Sequence, residues 1–373
     1  MIVGVPKEIK NNENRVAATP ESVKAFCDSG HGVMVETSAG AGSGIADQEY
    51  EGAGGRILQS EAELFAQADM ILKVREPLPP EYGLLKEDQI LFAFLLPARD
   101  PELTRVLMDG KVVAIAYEET RTDDGSLPLL ASMSRIAGKM GVLIGAQYLQ
   151  QTNGGRGILL GEVPGVPLPN VMVLGGGTVG TNAALAAAAL GAQVVVMEVR
   201  EERLRYLNEN LPSNATAVMS TPDAIREKIK EADLVINATV WPADAKTHLV
   251  TRDMLSVMKR SSVIVDVSAE ENGAIETCVV KTHTDPTYEV DGVLHYCVQN
   301  MPGAVPKTAT PALVSAVLPY ALEIADKGWR QALRDNSALL RGLCFAGGYV
   351  THEETARAQG LKYCPPQTVL ENP

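Results

Sequence analysis

The chain has 373 residues, 46% of them hydrophobic and 21% charged, and a formal charge of −13. That length and apolar content predict a large core divided between two domains. The negative balance, with no Lys/Arg-rich run, argues against nucleic acid and anionic membranes as partners, because both need a positive footprint.

A small-molecule ligand is therefore expected. The five cysteines, Cys27, Cys278, Cys297, Cys344 and Cys364, are scattered, odd in number and without a CxxC pair. They read as reduced thiols of a cytoplasmic protein, not as a disulfide frame or a zinc site. "MIVGVPKEIK" at the start is a short strand followed by charge, with no signal-peptide pattern. The most apolar helix-like run, residues 182–192, is about half a membrane span.

In chain order, "IVGVP" (2–6), "GVMVETS" (32–38), "MILKV" (70–74), "ILFAFL" (90–95) and "VVAIAYE" (112–118) are predicted strands. The segments between them start helices with Thr-Pro or acidic caps and close on glycine, as "TPESVKAFCDSG" does. This alternation predicts one doubly wound α/β unit. Residues 126–150 keep helical periodicity long enough to bridge two lobes, and the Gly/Pro-rich stretch "NGGRGILLGEVPGVPLPN" then breaks it. A second strand series follows at 171–176, 193–198, 234–239 and 262–268, and after "MPGAVPKTATPAL" the chain is expected to be helical to its end. The predicted architecture is two Rossmann-like domains: residues 1–128 with 307–373, and a nucleotide-binding domain at 129–306 inserted between them.

The strongest local motif is "VMVLGGGTVGTNAALAAAALGAQVVVMEVR" (171–200). Gly175, Gly177 and Gly180 form G-x-G-x-x-G between an apolar strand and an Ala-rich helix. Glycines permit the tight turn and let a pyrophosphate approach the main chain at the helix N-terminus. The bland alternative is an ordinary strand-helix turn. Glu198 decides against it, standing about 20 residues on at the end of the next strand, where a carboxylate accepts both ribose hydroxyls. The same acid disfavours the 2′-phosphate of NADP, so the expected cofactor is NAD. Arg200 and Arg203 either soften that preference or simply sit on a solvated helix start.

Seven segments together resemble the alanine dehydrogenase family, whose relatives include the soluble NAD-binding domain of proton-translocating transhydrogenase. They are "GVPKEIKNNENRVAATPESV", "LKVREPLP", "MSRIAGKMG", "GGRGILLGEVPGV", "VLGGGTVGTNAA", "SVIVDVS" and "HTDPTYEVDGVLHYCVQNMPGAVPKTAT". The resemblance runs in order from residue 1 to about residue 362. It implies NAD(H) in a cleft between the lobes, a homohexamer, and reversible oxidative deamination of a small amino acid to its 2-oxo acid. It also implies site residues. Arg15 falls where the family holds the substrate carboxylate, a task suited to a bidentate guanidinium. Met133, Ser134, Asn300 and Met301 fall near nicotinamide and substrate, and Glu198, Arg203 and Ser220 near the adenosine ribose. Thr178, Val179, Val240 and Val267 complete the cofactor-facing set.

Three substrate-pocket positions depart from the family. The second basic residue of a "KVKEP"-like strand is here Arg75 in "KVREP"; the expected strand-end histidine is Leu96; and the expected loop aspartate is Glu270 in "VDVSAEENG". Arginine keeps charge and hydrogen bonds but does not give up a proton at working pH. Leucine removes the most natural acid/base in the pocket. Glu270, relaying through water, becomes the expected proton carrier, and Arg15 and Arg75 are the other expected catalytic residues. Lys73 matches a lysine the family already has and is read as structural. His283 and His295 are assigned to loops, and no metal-binding motif is found.

Two functions follow. One is an NAD-dependent amino-acid dehydrogenase-like oxidoreductase with a retuned pocket, taking a carboxylate other than alanine, or a preformed imine as an opine-type reductase does. The other is an NAD(H)-binding protein with little turnover.

Overall fold

The computed structural model describes residues 1–242 and 245–371. The chain divides into two compact units, Met1–Met133 with the segment from Gly303 onward, and Ser134–Pro302. The first unit opens with strands β1 (Ile2–Val5), β2 (Gly32–Glu36), β3 (Arg56–Leu58), β4 (Met70–Leu72), β5 (Ile90–Ala93) and β6 (Val113–Ala116). The second contributes β7 (Asn170–Leu174), β8 (Gln193–Glu198), β9 (Ala215–Met219), β10 (Leu234–Asn237), β11 (Val263–Asp266), β12 (Thr287–Val290) and β13 (Val293–Tyr296). On returning to the first unit the chain adds β14 (Leu343–Ala346) and β15 (Tyr349–Val350).

The intervening helices form where the caps predicted them. Thr19 and Ser22 exchange hydrogen bonds at the head of Pro20–Asp28, and Asp100 Oδ1 accepts from Leu103 N at 2.9 Å at the head of Pro101–Asp109. The first sheet runs β15-β14-β6-β5-β4-β1-β2-β3 and is parallel from β6 to β3. Its antiparallel edge, β14 and β15, corrects the expectation of an all-helical C-terminus. The second sheet runs β12-β13-β11-β10-β7-β8-β9, and only the β12–β13 hairpin is antiparallel. His295 therefore lies in buried β13, not in a loop.

Each sheet reverses its winding once, between β1 and β4 in the first and between β7 and β10 in the second. Crevices at the carboxyl ends beside such reversals are where open α/β sheets take ligands.

Among the described residues, two helices, Pro128–Tyr148 and Pro306–Lys327, have the length and apolarity to cross a membrane. Both pack part of their surface against the protein. A Cβ on Gly138 would stand 2.2 Å from the Val179 carbonyl oxygen, and one on Gly145 2.5 Å from the Leu234 side chain, so the glycines let the first helix press onto its neighbours. The second buries a stripe at helical spacing that includes Leu313, Val314, Val317, Ala321 and Ile324.

Candidate active site

In the first unit, chemistry gathers just past the carboxyl ends of four adjacent strands. Glu8 follows β1, Arg75 follows β4, Leu96 follows β5 and Glu118 follows β6. β4, β5 and β6 run in register, with Ile71 opposite Leu91 and Leu91 opposite Ala114, so these residues emerge at one level. Glu8 spans the winding reversal, its Oε1 accepting from Val74 N at 2.6 Å and Arg75 N at 3.3 Å. Burial raises its carboxyl pKa, and Lys73 opposes that rise.

Lys73 has no exposed surface and pairs with Glu81 and, at 3.4 Å, with Glu8. Burial alone would depress its pKa, but the two carboxylates outweigh burial and hold it above the ordinary lysine value. It stays charged and serves as a structural cation, as its motif suggested.

Arg15 is buried, 3% exposed, and forks onto Glu13 through Nε and Nη2, while Nη1 reaches Met133 Sδ at 3.1 Å. Glu13 also accepts the Arg15 backbone N–H at 3.0 Å. A guanidinium held along one edge in this way keeps a fixed plane and a permanent charge, which is the preorganisation that carboxylate capture needs. Arg75 is half-buried; its Nε lies 2.9 Å from Glu76 Oε2 at an angle that leaves the N–H without a hydrogen bond.

Leu96 adopts φ 47°, ψ 47°, a left-handed conformation that costs an ordinary side chain about 1–2 kcal/mol. Glu118 holds it there, with Oε1 accepting from both Leu95 N, at 3.0 Å, and Leu96 N. Burial pushes the Glu118 carboxyl up to about 6 despite those two backbone donors. Strained backbone supported by a buried acid is a common property of functional sites. The leucine side chain itself is 38% exposed.

In the second unit the glycine turn leaves β7 at the winding reversal. Gly175 has φ +91°, and a Cβ there would meet Ala238 O at 2.9 Å; one on Gly180 would lie 1.8 Å from Gly175 O. At Gly177 a Cβ would meet nothing within 4 Å. The turn is closed beneath and open outward, where a pyrophosphate needs room. Gly177 heads the helix Thr178–Ala189 with no side-chain cap, leaving first-turn N–H groups for an anion.

Glu198 ends β8 with its carboxylate aimed back at this turn, Oε2 accepting from Gly176 N at 3.1 Å and Oε1 from Val199 N and Arg200 N. Burial raises its pKa, but the Arg200 guanidinium and these N–H groups outweigh burial and hold it below the ordinary glutamate value. Arg203 donates to Gly176 O at 2.6 Å and to Thr181 Oγ1 at 2.7 Å, and so braces the turn. Ser220 follows β9, its N–H on Glu198 O at 2.9 Å. Thr178 and Val240 are exposed, Ser134, Val179 and Val267 half-buried, and Met301 buried. The turn and acid fit a dinucleotide.

Two family descriptions match: "Alanine dehydrogenase/PNT, N-terminal domain" over residues 4–137 and "Alanine dehydrogenase/PNT, C-terminal domain" over residues 141–353. The chain belongs to the alanine dehydrogenase/PNT family. An alanine dehydrogenase of Methanococcus maripaludis is 49% identical over 371 residues, covering 99% of this chain and all of that protein. Among solved structures, an L-alanine dehydrogenase aligns at TM-score 0.91 and 45% identity, covering 96% of this chain and 99% of the other. A transhydrogenase from Sinorhizobium meliloti aligns at 0.80 and 27% identity, covering 94% of this chain and 100% of the other. The family's cofactor is NAD, and the Gly175–Gly180 turn with Glu198 is built for it.

Arg15, Arg75, Leu96 and Met133 thus belong to the first unit, and Glu270, Asn300, Met301 and the glycine turn to the second. Glu270 lies in the turn after β11, where Gly273 N donates to its carbonyl at 3.1 Å and Gln299 Nε2 holds the preceding Ala269 O at 2.9 Å. Asn300 is left-handed at φ 60°, a conformation asparagine tolerates. Sequence reasoning missed the supporting acids Glu8, Glu13 and Glu118, and also Asp266 with Asn237. Glu13 lay two residues from Arg15 in the quoted motif; Glu118 has no local signal, because its partners are 22 and 23 residues away.

Proposed function

We propose that the protein is an NAD-dependent oxidoreductase acting on the CH–NH2 group of an amino acid, with a pocket retuned away from alanine. The observation that carries this reading is a set of side chains in the first unit: buried Arg15 locked by Glu13, and, past the carboxyl ends of β4 and β5, Arg75 and apolar Leu96, held left-handed where the family resemblance expects a histidine. Two guanidiniums and a leucine favour a carboxylate-bearing substrate larger than alanine, such as a dicarboxylate, or a preformed imine.

Bound NAD supplies the hydride acceptor for oxidation at the substrate Cα. Arg15 binds the substrate carboxylate bidentately, its plane set by Glu13. Arg75 donates to the carbonyl oxygen of the 2-oxo acid and keeps its own proton. Glu270, through water, takes and returns the protons that release ammonia from the carbinolamine. Glu198 accepts from the adenosine ribose, with Arg203 and Ser220 around it. Domain limits of 1–128 with 307–373 and 129–306, a cytoplasmic location and a homohexamer accompany this reading through the family likeness.

The test follows cofactor absorbance with NAD and a panel of L-amino acids, and with NADH and 2-oxo acids with and without ammonia. Turnover of a larger amino acid or an imine is expected. Alanine turnover above about 1 s⁻¹ would refute the retuned pocket. Tight NADH binding with no turnover of any substrate would favour a nucleotide carrier, the reading that the transhydrogenase likeness supports. The double variant Arg75→Lys/Leu96→His should raise alanine activity at least tenfold, since a positioned acid/base contributes about 10²–10⁴.

A further inference from the structure

Behind the Glu270 turn, three buried ligand-type side chains converge from separate segments. Asp266 ends β11, Cys278 lies in the following loop, and Cys297 directly follows β13. They are 1%, 6% and 0% exposed, and one carboxylate oxygen and the two sulfurs lie within 4.8 Å of one another. Asp266 Oδ1 is satisfied by Asn237 Nδ2 at 2.8 Å and Ser268 N at 3.1 Å, whereas its buried Oδ2 has no well-aligned donor and the carboxyl is met on that side by the weak S–H of Cys278. A thiol is a weak donor and compensates a desolvated carboxylate oxygen poorly, so a stronger partner between the carboxylate and the two sulfurs would stabilise the cluster. Tyr288 is not that partner. Its hydroxyl, 3.2 Å from Cys297 Sγ, already gives its proton to Thr277 O and accepts from Val279 N.

We propose that Asp266, Cys278 and Cys297 form a binding site for a thiophilic divalent cation of the zinc and cadmium class. Two sulfurs and one oxygen select a borderline-soft ion over magnesium or calcium, which require all-oxygen shells. Ligand atoms of a tetrahedral zinc site stand roughly 3.5–3.8 Å apart, so side-chain contraction of about an ångström closes this one around an ion. Binding displaces the two thiol protons to solvent, together with the Asp266 proton where it is held. Two thiolates and a carboxylate then face the 2+ charge, and a water or small anion takes the fourth position. No CxxC spacing announces the site, because the cysteines are 19 residues apart in sequence and meet only through the β11–β13 pairing.

The site touches the turn that carries Glu270. The Glu270 backbone N–H donates to the Cys278 sulfur, Asp266 stands four residues upstream, and Gln299, two residues past Cys297, holds Ala269 O. An ion here ties down both ends of the 266–270 stretch.

The test titrates Co2+ into whole native protein kept reduced by a phosphine. The expected result is a near-ultraviolet thiolate-to-metal charge-transfer band saturating at one ion per chain, with a rise in Tm. Cys278→Ser and Cys297→Ser should each abolish the band, Asp266→Asn should weaken binding at least tenfold, and Cys27→Ser should leave it unchanged. Absence of the band in the reduced native protein, or its survival in both cysteine variants, overturns the proposal. If the variants do not fold, 113Cd NMR of the native protein decides: a resonance in the mixed sulfur–oxygen range supports the site, and an oxygen-only shift overturns it.

Discussion

Replacing Glu118 by glutamine tests the support beneath Leu96 directly. The carboxyl is buried, and burial raises it from an ordinary 4.5 to about 6. The folded state therefore holds this proton more tightly than the unfolded chain does. The contribution to stability is complete below pH 4.5 and is lost as pH rises through about 6. At about 1.36 kcal/mol per pKa unit, the shift of roughly 1.5 units makes ionised Glu118 cost the fold about 2 kcal/mol at neutral pH. Glutamine removes that charge yet keeps an acceptor oxygen, and Oε1 alone already serves both Leu95 N and Leu96 N. Urea unfolding of wild type and Glu118→Gln, followed by circular dichroism between pH 4 and 7.5, isolates this group because every other titration is common to both proteins. The stability difference, variant minus wild type, should grow by about 2 kcal/mol across that range, in favour of the variant at high pH. A difference that stays flat or narrows with rising pH would refute the reasoning.

Two further predictions concern the nucleotide turn. Gly177→Ala adds a methyl group that meets no protein atom; its Tm should match wild type while NADH affinity, read by fluorescence titration, falls at least tenfold, or about 1.4 kcal/mol. Unchanged affinity would mean that the pyrophosphate does not approach there. Glu198→Gln keeps an acceptor for Gly176 N but releases Arg200 from its carboxylate. The ratio of NADH to NADPH affinity should drop at least tenfold, and a preserved ratio would remove Glu198 from cofactor selection.

Local patterns in the chain fixed much of this molecule in advance. The glycine hexad, the acid about 20 residues on, the Thr19 and Asp100 caps and the alternation of strands and helices are readable because each depends on neighbours within a turn or a single βαβ unit. The same locality explains the misses. β14 is only "LCFA", and its partner β6 lies some 230 residues earlier, so nothing nearby marks it as a strand. The β12–β13 hairpin did carry a signal, the Asp291-Gly292 pair with φ of +50° and +82°, between strands too short to stand out by period alone.

By itself the sequence determined the family, the cofactor turn and the positions, Leu96 and Glu270 among them, at which the chain departs from the family pattern. Tertiary structure decided how those residues are held. The Arg15 guanidinium has a fixed plane only because Glu13 is buried against its edge, and Leu96 is kept left-handed only because β6 places Glu118 beneath the end of β5. Asp266, Cys278 and Cys297 become a cluster only when β11 pairs with β13. Pairing of distant strands brings charges and donors together in a low-dielectric interior, where each must find a partner, and no local pattern in the chain encodes which partner that is.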